Sequence, residues 1–397
     1  MENKKVSIYK VTMLVIITAV VTCMVTSIGM YNYFIKSDDG NIEGLVKYIE
    51  ISEETENLEK RLEVVKKYLE EYYIGEIDID AMNQMAIKGY VAGLDDEYTE
   101  YLIKEEFSDL MVNVTGDYVG IGIYMFQDTD GRIIVLMPME GSPAEEADIQ
   151  PNDIIISVNG ESCTEMNADE ASNKIKGEEG TTVELEILRG TETIKKTVER
   201  RKVVIPDSSS KILEGNIGYI ELTTFDENSS ENVSKYLDEF ESKGIKSVII
   251  DLRDNTGGMV TEAISFSELF VKKGDIIMRS YNKAEDETVI KSNSKETVDM
   301  NIVVLVNRYS ASATEIVTAA LKDNELATVV GTTTYGKGIM QEVIPLFEGA
   351  LKVTIEEFMT PNGDKIHEKG ITPDIIVEDD IKTEEDEQLQ KAIEVLK

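Results

Sequence analysis

Three short runs in the C-terminal half of the chain, Ile217-Gly-Tyr-Ile-Glu-Leu, Ser247-Val-Ile-Ile-Asp-Leu and Ile302-Val-Val-Leu-Val, are apolar almost without a break and do not alternate. A strand with one face in water alternates polar and apolar side chains, so a strand apolar at nearly every position must be covered on both faces. Helical stretches near Asn232 to Lys243 and through Leu321 stand between and after these runs, and Thr328-Val-Val-Gly follows. The pattern predicts an α/β domain on a mainly parallel sheet with helices. Such sheets gather ligands at the carboxyl ends of their strands, which directs attention to the strand-to-helix junctions.

The 397 residues exceed one ordinary core and suggest two or three domains. With 77 acidic against 40 basic residues, the net charge of −37 repels a phosphate backbone, so nucleic acid is excluded as a partner. Cys23 and Cys163 lie far apart in unlike surroundings and imply no disulfide framework. Residues Val11 to Met30 carry no charge, long enough for a membrane span, and Tyr31, Tyr33 and Phe34 follow where interfacial aromatics belong. Lys4, Lys5 and Lys10 before the run and Asp38 and Asp39 after it place the N-terminus in the cytoplasm and the remainder outside the cell membrane. A cleaved signal peptide is the competing reading; no Ala-x-Ala-like site follows.

After a polar linker (Lys36 to Asn41), Leu58, Leu62, Val65, Leu69 and Tyr72 recur at spacings of four and three, the seam of an amphipathic helix that packs within the chain or against a second copy. Helical stretches at Ala81 to Leu94 and Glu105 to Val112 complete an N-terminal helical region. From about Gly116 the texture changes to short β-rich segments separated by Gly, Pro and Asp turns, with helical pieces at Ala144 to Ala147 and Ala168 to Lys176, which fits a small β-sandwich or barrel. A short amphipathic helix closes the chain.

Two junctions, Asp251-Leu-Arg-Asp-Asn-Thr-Gly-Gly and Asn307-Arg-Tyr-Ser-Ala-Ser-Ala-Thr-Glu, end where helices begin. Helix N-termini offer unpaired N–H groups and positive potential to an oxyanion, and paired glycines let a substrate backbone approach. A third segment, Tyr335-Gly-Lys-Gly-Ile-Met-Gln, carries a lysine between glycines. In this order the three segments resemble the carboxyl-terminal processing peptidases of family S41, serine peptidases with a Ser–Lys dyad. Lys337 stands 25 residues after Ser312 and Gln341 four beyond the lysine. Gly93-Leu-Asp-Asp-Glu-Tyr-Thr-Glu-Tyr, Gly141-Ser-Pro-Ala-Glu-Glu-Ala with Pro151-Asn-Asp-Ile-Ile, and Lys369-Gly-Ile-Thr-Pro-Asp resemble that family's segment before its PDZ module, the module itself and the C-terminal strand region. Thr256, where the family commonly has proline, and Asp148, where it usually has glycine, depart from the pattern; Asp tolerates a left-handed backbone.

The resemblance implies Ser312 as nucleophile, Lys337 as general base and Gln341 as the residue holding the lysine, with the Ala313 N–H as one oxyanion donor and Gly257 or Gly258 as the other. A serine is a weak nucleophile until a base takes its proton, and lysine does so only when neutral. Bringing an ammonium from about 10.4 toward 7 needs roughly 4 kcal/mol of bias, which local desolvation must supply against this protein's negative field. The competing reading is that Ser312-Ala-Thr-Glu315 is a capping box, with Ser312 merely closing a helix; Ser310 is the alternative cap. Arg253 and Asp254 read as an ion pair. His367, the one histidine, sits in a Gly/Asp/Lys-rich loop, not in a triad. No metal-ligand spacing occurs, and no metal or cofactor is expected.

Val119, Gly120, Ile121, Gly122 and Ile123 resemble the loop and strand by which PDZ modules hold a peptide's terminal carboxylate on backbone N–H groups, with an ordinary glycine-rich strand as the alternative. Lys176 matches a place where the family often carries arginine near bound peptide. Cys163 reads as a buried small residue. The expected organisation is a cytoplasmic segment 1–10, an anchor 11–30, a linker and helical region 31–115, a PDZ domain 116–202, a Ser–Lys peptidase core 203–380 and a C-terminal helix 381–397. The expected activity is endopeptidase cleavage of proteins with exposed apolar C-termini. A catalytically silent membrane adaptor and an acyl transferase acting on small thioesters are the rivals.

Overall fold

The computed structural model describes residues 57–115, 117–378 and 385–397. The charge-free run 11–30, Cys23 and the linker before residue 57 lie outside them, as do residues 381–384 of the expected C-terminal segment. Among the described residues no helix is long and apolar enough to cross a membrane. The described residues divide into two units between Asn83 and Gln84. In the first, the predicted seam forms a helix, Leu58–Tyr72, begun by the Asn57 side chain accepting the Glu59 N–H at 3.1 Å. None of its residues is buried, and Leu58, Leu62, Val65 and Tyr72 are exposed.

The second unit carries the apolar strands. They form one six-stranded sheet whose spatial order follows the chain: β1 (Ser208–Leu213), β2 (Ile217–Leu222), β3 (Ser247–Asp251), β4 (Asn301–Val306), β5 (Ala327–Gly331) and β6 (Ile375–Ile376). The β1/β2 pair is antiparallel and every other pair is parallel. Because strand side chains alternate between faces, Ile220, Leu222, Val248, Ile250 and Val304 enter a core with helices α1 (Ser229–Ser242), α2 (Val260–Glu268) and α3 (Ala313–Asp323). Tyr219, Ile249, Val303 and Leu305 face the other way and meet Leu389, Ala392 and Ile393 of α4 (Glu387–Val395). Both faces are covered, which is why the strands read as unbroken apolar runs.

A second sheet was not expected. Glu100–Leu102, Gly349–Met359, Ile276–Asn282 and Glu287–Lys291 pair antiparallel in that order, and Ile339–Leu346 also pairs with Gly349–Met359. The segment 93–102 therefore joins the peptidase half through residues more than 240 positions away. Gly349 permits the contact: a Cβ there would lie 2.0 Å from the Leu102 carbonyl oxygen.

The predicted β-rich module is an antiparallel sheet of Ile123–Gln127, Ile133–Pro138, Ile154–Val158, Thr182–Arg189 and Glu192–Glu199, with a short strand Glu161–Ser162. Asp117–Gly120 pairs separately with Arg201–Val204, so the chain enters and leaves the module side by side. Cys163 is buried among its apolar residues, and burial pushes the thiol up, as expected of a packing residue. Asp148 has φ 56°, the left-handed backbone expected of it.

Candidate active site

Ser312 stands where β4 gives way to α3, half-buried, with φ 57° and ψ −116°. A non-glycine residue holds such a backbone at a cost of about 1–3 kcal/mol, so its surroundings must impose it. Two neighbours do. Gly257, in the loop after β3, lies against it so closely that a Cβ would sit 2.8 Å from the Ala311 carbonyl oxygen, 2.9 Å from Ser312 Cβ and 3.0 Å from the Ala313 nitrogen. Glu315, one turn into the helix, accepts the Ser312 N–H on Oε2 at 2.9 Å.

Ser312 and Glu315 thus form a capping box, but the Glu315 N–H also donates to the Ser312 carbonyl oxygen at 2.8 Å, so the hydroxyl is not its sole acceptor. Ser310 does not cap the helix. Its hydroxyl donates to the Leu252 carbonyl at 2.7 Å and accepts the Asn307 N–H at 2.9 Å, which ties the loop before Ser312 to the loop after β3. The Ala313 N–H has no acceptor among the described residues. Of the two glycines, Gly257 gives its N–H to Asn255 Oδ1 at 2.9 Å, whereas no acceptor among the described residues takes that of Gly258. Phe225 bonds the Gly257 carbonyl and the Met259 N–H, which turns the Gly258 N–H away from Phe225.

Lys337 reaches the same place through Glu315. Oε2 also accepts the Lys337 N–H, at 2.8 Å, while Oε1 accepts the Gly336 N–H at 2.8 Å and the Thr334 hydroxyl at 2.6 Å. One carboxylate oxygen therefore holds the backbone nitrogens of Ser312 and Lys337, which lie no farther apart than those two bonds together. Glu315 is fully buried; burial pushes its carboxyl up, and the four donors oppose that rise. Read from the sequence as a cap partner at most, it joins both halves of the site. The local pattern is identical for either role.

The Lys337 ammonium is driven below its ordinary range by burial and then by the Lys352 charge, against an opposing pull from Glu315. Desolvation thus outweighs the acidic surroundings at this position. Nζ lies over the Tyr98 ring, 5.1 Å from its centroid, and no hydrogen bond joins Lys337 to Ser312 or to Gln341 among the described residues. Gln341 follows a register shift between Met340 and Gln341, and its Nε2 is buried without a hydrogen-bond partner. The shift changes the direction in which its side chain leaves the strand. Burial and a hydrogen bond to Tyr335 push Tyr98 up to about 12.

Tyr98, Tyr335, Ile339 and His367 line a cleft of about 570 Å³ beside the lysine loop. His367 packs against Gly338, where a Cβ would lie 2.3 Å from the His367 nitrogen, and makes an edge contact with Tyr98. Tyr98, read from the sequence only within the segment Gly93 to Tyr101 and with no role of its own, is delivered to the site by the pairing of Glu100–Leu102 with a distant strand. Arg253 does not pair with Asp254. It binds Asp251 (2.6 Å) and Asp386 (2.8 Å), while Asp254 accepts from Asn307 Nδ2 at 3.0 Å. Among the described residues no group of three or more His, Cys, Asp or Glu could hold a metal.

In the β-rich module, the strand expected to run through Gly120 to Tyr124 is interrupted. Asp117–Gly120 ends, Ile121 buries its side chain in the module's core, and Gly122 turns at φ 77° before Ile123–Gln127 begins. Only glycine fits at 122, since a Cβ would lie 2.4 Å from Ser142 Cβ. Lys176 Nζ lies 3.7 Å from Asp109 Oδ1 and 5.8 Å from the centroid of the Tyr118 ring.

Comparison with known proteins identifies the family. The family model for peptidase family S41 matches residues 216–377 and that for a PDZ domain residues 134–189. The carboxy-terminal processing protease CtpA of Bacillus subtilis is 36% identical over 371 residues, covering 93% of this chain and 77% of that protein. A probable CtpA-like serine protease of Staphylococcus aureus is 37% identical over 344 residues, covering 84% of this chain and 69% of its own length. The fold is shared with a solved putative S41 protease of Bacteroides fragilis, at a TM-score of 0.51 and 17% identity over 81% of this chain and 92% of that one.

Proposed function

The chain belongs to peptidase family S41 as a carboxyl-terminal processing serine protease with a PDZ domain, and on that premise we propose that Ser312 is its nucleophile and Lys337 its general base. The observation that carries this reading is the shared Glu315 oxygen: residues 25 positions apart are held within two hydrogen bonds of each other, one in a strained backbone at a helix start, the other a lysine that burial biases toward its neutral form.

In the proposed reaction Lys337 takes the Ser312 proton as Oγ attacks the scissile carbonyl. The N–H groups of Ala313 and Gly258, which no acceptor among the described residues takes, receive the oxyanion. Lys337 returns its proton to the departing amine, and water releases the acyl group from Ser312. In this reading Gln341 orients Lys337, which requires its orphaned amide to come within reach of Nζ. The PDZ domain supplies the substrate by holding an exposed apolar C-terminus on the N–H groups around Gly122. The charge-free run 11–30 anchors the chain, with residues 31–115 leading to the PDZ domain (116–202) and the peptidase core (203–380) on the outer side of the membrane. The exposed seam Leu58, Leu62 and Val65 is the surface for a second copy.

The test offers the full chain an unfolded protein ending in apolar residues and compares it with Ser312→Ala and Lys337→Ala. Cleavage by the wild type alone is expected, and equal cleavage by all three sinks the assignment. Failure of a serine-reactive probe to label the folded chain, with substrate peptide present, would favour the silent adaptor.

A further inference from the structure

We propose that Tyr118 is a built-in occupant of the peptide's carboxylate cradle, and that it sets the threshold affinity a C-terminus must exceed to engage the PDZ domain. This rests on the reading above that the domain captures a terminal carboxylate.

The cradle is the turn at Ile121 to Ile123, held by the buried Ile121 side chain and by the positive φ that only glycine fits at 122. The phenol of Tyr118 lies near enough to the N–H groups of Gly122 and Ile123 for them to oppose the rise that burial imposes on it. The ring folds back over Gly120, where an added Cβ would lie 2.4 Å from Tyr118 Cε2 and 2.9 Å from Cδ2. Gly120 is thus shaped to admit the ring, and the phenol sits on the donors that a carboxylate would take. Beside it opens a cleft of about 510 Å³ lined in part by Tyr118, Val119, Asp109 and Lys176. The Lys176 ammonium lies over the same ring while 3.7 Å from Asp109.

A phenol buried in this way stays neutral at ordinary pH, whereas a carboxylate carries full charge, and hydrogen bonds to a charged acceptor are roughly twice as strong as neutral ones. The terminus therefore displaces the phenol. Internal competition lowers the apparent affinity of every cradle ligand by the same factor, the fraction of time the cradle is open. Displacing a neutral phenol from beside two N–H groups corresponds to a factor on the order of tenfold. Chain ends that bind well remain in range, and internal segments or capped ends, lacking the charge, fall below it.

The experiment uses the full chain carrying Ser312→Ala to prevent turnover, and fluorescence anisotropy with a labelled peptide of apolar C-terminal sequence, either as the free carboxylate or as the C-terminal amide. The wild-type cradle should prefer the carboxylate. Tyr118→Phe, which keeps the ring and removes the oxygen, should tighten both peptides by one common factor on the order of tenfold. Gly120→Ala, which keeps the hydroxyl and fills the space under the ring, should reproduce the gain. Preference for the carboxylate with unchanged or weaker binding in both variants overturns the proposal and leaves carboxylate capture standing. No difference between carboxylate and amide in any of the three proteins overturns carboxylate capture, and the role of Tyr118 with it.

Discussion

Replacing Glu315 by glutamine separates its two duties. Its oxygens receive two donors each: the Thr334 hydroxyl and Gly336 N–H on Oε1, the Ser312 and Lys337 N–H groups on Oε2. An amide keeps one acceptor and turns its NH2 toward the other pair. Two buried donors left without acceptors cost about 2–6 kcal/mol together. Against a typical stability of about 5–15 kcal/mol, Glu315→Gln should fold with a lowered urea midpoint, whereas Glu315→Ala strips all four donors and is a poorer test. Once the N–H that holds Ser312 is loosened, its strained φ relaxes, and a misplacement of ~1 Å is enough to slow acylation about a hundredfold.

A purely structural role predicts no more than that. A second consequence is specific to placement beside the base. The Glu315 charge holds the Lys337 pKa up against the burial that lowers it. Its removal lowers that pKa further, so more of the lysine is neutral at a given pH. The rising limb of the pH–rate profile should move to lower pH even as the maximal rate falls. Single-turnover cleavage across pH, alongside urea unfolding, reads both effects; a folded Glu315→Gln variant with wild-type rate and an unmoved limb refutes the reasoning.

The same limb should respond to Lys352, whose charge is the second cause of the Lys337 shift: Lys352→Gln should move it to higher pH, by less than the whole shift because burial leads. Glu100→Gln, which removes the partner 3.0 Å from Lys352 Nζ, should move it the other way. Gly338→Ala places a Cβ 2.3 Å from the His367 nitrogen and should cost about 1–3 kcal/mol in chemical denaturation, with loss of cleavage as the lysine loop shifts. Arg253→Met leaves Asp251 buried with the Tyr219 hydroxyl at 2.7 Å and frees Asp386 at the start of α4, so stability should fall by about 3–5 kcal/mol and hydrogen exchange across 387–395 should quicken.

The parallel sheet was legible because its strands are short, buried on both sides and separated by helices, so the local pattern carries the global answer. The antiparallel sheet was not. Gly349–Met359 mixes Lys, Thr and Glu with apolar residues and is mostly half-buried, and its partners lie at 100–102, 276–282 and 339–346. Nothing within a window of ten residues encodes such a pairing. Tyr98 and Lys337 meet across it, so the aromatic wall of the lysine was invisible for the same reason.

At the serine, the two readings of Ser312-Ala-Thr-Glu315 compete only while the pattern is taken as local. A helix cap and a strained nucleophile both want the Glu315 side chain on the Ser312 N–H, and that bond is present. What separates them is the rest of the carboxylate. A surface capping glutamate keeps its other lone pairs in water, whereas this one is fully buried and gives them to Thr334, Gly336 and Lys337. Since the Glu315 and Ile316 N–H groups also donate to the Ser312 carbonyl, the helix start does not depend on the hydroxyl alone. The capping sequence is therefore the means by which a serine in an unfavourable backbone is fixed beside its base, and a sequence that conserved only the cap would have no use for the acceptors that reach the lysine.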